Sequence, residues 1–148
     1  MAGILLVVVN HRAGKVRAGA GKPAPPKTIS IDLHALKKLL PFDYVQVFDI
    51  DRLEPPYQFT EHPVPSCGVP IRDTRFPTVS SHLMMRFART EERPVMFVPR
   101  EELLRDWEFD VVAVLLSDKA IPVLLFFYTR HGRPDSLDLK ALSVAITT

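Results

Sequence analysis

Residues that brace or loosen a chain are scarce in this one. A single cysteine, Cys67, excludes an intrachain disulfide and a cysteine-rich zinc site, and it favours a reducing, cytoplasmic setting. Only 6 glycines stand in 148 residues, so flexible breaks are few. Long apolar runs are missing as well. Gly3 to Val9 is too short to span a membrane, and neither a basic segment nor a small-residue cleavage site frames it as a signal peptide. The reading is a soluble chain with no membrane span. Heptads and internal repeats are absent, and nothing divides the chain into separate domains. Large net charge is lacking too, at +2.

What is abundant is proline and apolar side chains. The 14 prolines predict many forced breaks and argue against long helices, while 47% hydrophobic content suffices for a real core. Charge, though small in sum, is uneven. Five of the 19 basic residues, Arg12, Lys15, Arg17, Lys22 and Lys27, precede the first acidic residue, Asp32. The other 14 stand against all 17 acidic residues, so a +5 amino-terminal segment sits on a body of −3.

Val111 to Leu116 and Val123 to Phe127 are apolar runs of strand length joined by the turn-like Ser117-Asp118-Lys119-Ala120. Neither run alternates with polar residues, so this hairpin belongs in the middle of a sheet covered on both faces. Gly3 to Val9, rich in β-branched residues, reads as a buried and central first strand. Residues 10–27 are basic and Pro-rich, without apolar periodicity, and read as a long loop or arm. Ile29 and Ile31 suit a short strand before Asp32, which can cap a helix from Leu33 to Leu40 stopped by Pro41. Tyr44 to Ile50 reads as a strand.

Residues 55–77 hold six prolines in 23 positions, which predicts an irregular segment of the kind that serves as a functional loop or a protein-binding surface. His82 to Arg89 alternates at Leu83, Met85 and Phe87 and pairs as a second hairpin with Val95 to Val98. Pro99 opens a predicted helix over Arg100 to Trp107. Asp135 or Ser136 caps a further helix through Ala141, followed by a last strand at Leu142, Val144 and Ile146. The sum is an α+β fold with a mostly antiparallel sheet, forming a sandwich or a partly closed barrel, with roughly seven strands and two or three short helices.

No motif carries a complete chemical signature. The run around Gly21-Lys22 fails as a phosphate-binding P-loop, because Val16 stands where glycine is needed and Pro23 where Ser or Thr is needed. Pro23-Ala24-Pro25-Pro26 contains a minimal PxxP without the flanks of an SH3 ligand. His62, Cys67 and Asp73 supply an imidazole, a thiol and a carboxylate within one loop, yet Cys67-Gly68 lacks a context that would activate a thiolate. His11, His34, His82 and His131 share no ligand spacing and read as surface residues.

Two constellations remain. Arg12, Lys15, Arg17, Lys22 and Lys27 form an acid-free cluster suited to nucleic acid or another polyanion, without interleaved aromatics for base stacking. Asp49 and Asp51, two apart at the end of a strand, share a side and could hold Mg²⁺ or Mn²⁺ against a phosphate. The leading functional reading is a small non-enzymatic assembly protein, homo-oligomeric, that uses the 55–77 loop for protein contacts and the basic cluster for an anionic partner. The alternative is a metal-dependent phosphohydrolase or nuclease centred on Asp49 and Asp51. Homo-oligomer formation is expected because apolar strand faces need more cover than two short helices provide.

Overall fold

The computed structural model describes residues 4–9, 27–53 and 56–147. Among these the chain runs β1 (Ile4–Val9), β2 (Lys27–Asp32), α1 (Leu33–Leu39), β3 (Tyr44–Ile50), β4 (Phe59–His62), α2 (Arg75–Arg89), β5 (Val95–Val98), β6 (Asp110–Leu116), β7 (Val123–Thr129), α3 (Leu139–Val144) and β8 (Ile146–Thr147). A 3-10 turn, Arg100–Glu102, lies between β5 and β6. The fold is α+β and every strand pairing is antiparallel. A five-stranded sheet has the order β4-β3-β7-β6-β5 and a three-stranded one the order β1-β2-β8, and neither closes into a barrel.

The hairpin of β6 and β7 occupies the centre, and all residues of both strands are buried. Because a strand alternates faces, two apolar layers result. Val111, Ala113, Leu115, Leu124, Phe126 and Tyr128 point to one side, where α2 lays down Phe76, Val79, Leu83 and Phe87. Val112, Val114, Leu116, Val123, Leu125 and Phe127 point to the other, where Ile29 and Ile31 of β2, Leu36 of α1, Leu142 of α3 and Ile146 of β8 complete the layer. Both covers thus come from the chain itself, which removes the uncovered apolar face as a reason for self-association.

Local signals account for α1 as expected. The Asp32 carboxylate accepts from Ala35 N–H at 3.1 Å, and the helix stops before Pro41. Elsewhere the structure differs from the sequence reading. The second hairpin does not form, because 75–89 is a 15-residue helix rather than a loop end and a strand. Pro77 is its third residue, in the first turn where backbone N–H groups lack intrahelical partners, so it opens the helix instead of breaking it. The buried positions 76, 79, 80, 83 and 87 follow the helical period, while Met85, expected inside, is 55% exposed.

The helix expected after Pro99 shrinks to the 3-10 turn, since Arg100 is tied to Asp110 and Asp106 takes a positive φ of 61°. Asp138, not Asp135 or Ser136, caps α3, accepting from Ala141 N–H at 3.0 Å. The helix therefore runs through Val144, which is 80% exposed, and only Ile146–Thr147 remain as strand. β1 lies at the edge of the small sheet, not at a centre. The Pro-rich stretch 55–77 contains β4 and the start of α2, leaving 63–74 without strand or helix. No helix among the described residues is long and apolar enough to cross a membrane.

Candidate functional site

Asp49 and Asp51 leave β3 in different settings. Asp49 points into the layer shared with Val45 and Val47, is buried, and meets the buried His62 of β4, whose Nε2 lies 2.8 Å from Asp49 Oδ2. His62 stands opposite Val47 in the β3–β4 register, which brings its ring one diagonal step from Asp49. A carboxylate in such a place needs a donor, and an imidazole N–H supplies it. Asp51 lies beyond the strand and is exposed. Its Oδ1 accepts from Gln58 N–H at 2.8 Å and its Oδ2 from Arg52 Nε at 3.3 Å. The Gln58 backbone bond holds the Asp51 carboxyl below the usual range, against the opposing effect of burial and with help from Arg52. One carboxylate fastens β4 to β3 and the other clamps the turn between them. No group of three or more His, Cys, Asp or Glu side chains among the described residues is placed to hold a metal ion.

His62, Cys67 and Asp73 are not assembled into a nucleophilic set. Asp73 is bound to Arg75, accepting from its backbone N–H at 3.1 Å, its Nε at 3.0 Å and its Nη2 at 2.8 Å. Those bonds lower the Asp73 carboxyl. The same guanidinium donates to Glu108, so Asp73 first and Glu108 second raise the Arg75 pKa. Cys67 is buried, and burial pushes its thiol up, away from the thiolate that nucleophilic chemistry requires.

The backbone around Cys67 is structural. Val45 N–H donates to Cys67 O at 3.0 Å and Gly68 N–H to Val64 O at 2.8 Å, which welds the Pro-rich loop to β3. Gly68 is required there, since a Cβ would lie 2.3 Å from Val64 O. His34, His82 and His131 are exposed, and His11 lies outside the described residues.

Two polar centres escape the sequence reading. Gln46 is 3% exposed in the layer beneath α2. Its Oε1 accepts from Ser80 Oγ at 2.7 Å and from the Tyr128 hydroxyl, and its Nε2 donates to Glu61 at 3.1 Å. Burial, opposed only in part by Ser80, raises the Tyr128 phenol far above its ordinary value, so it stays a donor. At the start of β6, the buried Asp110 accepts from Arg100 N–H at 2.8 Å, Nε at 3.2 Å and Nη2 at 3.1 Å. A polar residue in an otherwise apolar strand, and a serine inside a helical apolar stripe, were the available signals for the first centre. The second pairs residues in separate segments and left no local pattern.

Of the basic cluster, Arg12, Lys15, Arg17 and Lys22 lie outside the described residues, while Lys27 opens β2. Antiparallel pairing puts Val9 opposite Lys27, so residues 10–26 join two paired strands. Compared with known proteins, the chain matches no family model, no curated protein and no solved structure.

Proposed function

We propose that this is a small non-enzymatic interaction protein that contacts an anionic partner, nucleic acid being the natural candidate, through the basic loop between β1 and β2. The observation that carries the reading is the register of that hairpin, with Val9 opposite Lys27. In the sequence, four cations and no acidic residue, Arg12, Lys15, Arg17 and Lys22, lie between those two paired strands. Charges tethered at both ends lose less freedom on meeting a row of phosphates than the same charges on a tail. The absence of aromatic residues from 10–26 argues for backbone contact rather than base readout. Assembly into a homo-oligomer, and contacts through the 63–74 part of the Pro-rich stretch, belong to the same reading. Fully exposed Ile71 at a turn in that stretch supports it.

Fluorescence anisotropy with a labelled 20-base-pair DNA, across a range of salt, tests the proposal. If all four loop cations meet phosphates, log K falls against log salt with a slope of about −3.6, from roughly 0.9 per phosphate neutralised. The variant with Arg12, Lys15, Arg17 and Lys22 all changed to Ala should bind weakly with a nearly flat dependence. Equal affinity and slope in that variant would end the proposal.

A further inference from the structure

The outer edge of β5 carries an inference independent of the basic loop. Leu115 N–H donates to Pro94 O at 2.8 Å, which fixes the phase of the β5–β6 ladder. In an antiparallel pair, residues alternate between facing the partner and facing away. Pro94, Met96 and Val98 therefore address β6, and the N–H and C=O groups of Val95 and Phe97 point outward, where no described strand pairs with them. The side chains of Val95 and Phe97 are only half-buried. Alongside lies a cleft of about 240 Å³ between this strand and the end of α2, lined by Arg86, Arg89, Thr90, Glu92, Met96 and Phe97.

We propose that this edge receives a short extended peptide segment bearing acidic side chains, which adds to β5 as a sixth strand of the large sheet. Backbone groups of Val95 and Phe97 supply the pairing, in the manner of strand addition at a free edge. The charge preference comes from α2, a helix of 15 residues without an acidic side chain that ends in Arg86 and Arg89. Arg86 is shared with Glu102 at 2.7 Å. Arg89 is exposed and has no ion-pair partner among the described residues, so it is the group left to meet a carboxylate. Glu92 on the same rim opposes a uniformly anionic ligand and favours one that mixes apolar and acidic residues. Pro94 and Pro99 bracket β5, so the added segment pairs over only about four residues.

The probe is the labelled hexapeptide Ser-Val-Glu-Val-Asp-Val. It is titrated into the full chain carrying Ala at positions 12, 15, 17 and 22, so that the basic loop cannot account for binding. The backbone amide signals of Val95 and Phe97 should shift, and Arg89→Glu should weaken binding by about tenfold or more, the size of a lost charge-assisted contact. The same peptide N-methylated at alternate residues should bind at least as poorly. Shifts confined to other residues, undiminished binding of the N-methylated peptide, no binding at all, or self-pairing of β5 between two copies that shuts the peptide out would each overturn the proposal. None of these outcomes depends on whether the loop binds DNA.

Discussion

Replacing Gln46 by Leu tests the buried network beneath α2 with little change in volume. Gln46 is 3% exposed, and its Oε1 satisfies two hydroxyls, Ser80 Oγ at 2.7 Å and that of Tyr128. Each hydroxyl left buried without a partner costs about 1–3 kcal/mol. The Ser80 and Tyr128 oxygens are 3.4 Å apart, so one can turn to donate to the other and only one donor is orphaned. The expected loss is therefore about 2 kcal/mol, not twice that. Adding Tyr128→Phe and Ser80→Ala removes both stranded hydroxyls, and the all-apolar triple variant should recover to within about 1 kcal/mol of the parent. Urea unfolding followed by the fluorescence of Trp107, the sole tryptophan and a buried neighbour of Phe76 and Tyr128, measures each step. Additive losses, with the triple variant least stable of all, would refute the claim that the hydroxyls are satisfied through Gln46.

Two further outcomes are expected. Burial works against the charge of Asp110, but bonds from the Arg100 side chain and backbone and from Gly132 hold its carboxyl below the usual range. The folded pKa thus lies under the unfolded value of about 3.9, so the pair stabilises the fold above that pH and the contribution fades as pH falls through the folded pKa. Asp110→Asn should flatten the acid limb of stability measured from pH 7 down to 2, and superimposable limbs would count against it. Gly68→Ala drives a Cβ onto the Val64 carbonyl and should cost about 2 kcal/mol, seen as a Tm lower by roughly 4–8 °C, and an unchanged melt would show that the loop can yield.

The central hairpin was legible because continuous apolar runs in strand-length pieces can only sit between two covers, and the capped helix α1 was legible because its stop and start are written locally. What failed was phase. Read from His82, the segment Leu83, Met85, Phe87 alternates like a strand. Read from Phe76, the same residues fall on a helical stripe with Val79 and Ser80, and Met85 turns outward. Treating Pro77 as a break, when it sits in the first turn of α2, set the window too late. The candidate site was less legible still, since Asp49 is answered by His62 and Asp110 by Arg100. Period-two spacing puts Asp49 and Asp51 on one side, but only the tertiary register decides that the first is met by an imidazole.

Proline content takes on a different meaning once the strand order is known. The prolines were expected to act as breakers of helices, yet Pro63 directly follows β4, and Pro94 and Pro99 bracket β5, the two edge strands of the large sheet. A residue without an N–H cannot donate to a ladder, and each of these edge strands is only four residues long. Since α2 and the small sheet with α1 and α3 cover both faces, the backbone groups of the large sheet that no described strand pairs lie along these edges. Edges this short disfavour open-ended stacking of copies while still offering a few backbone groups to a short segment.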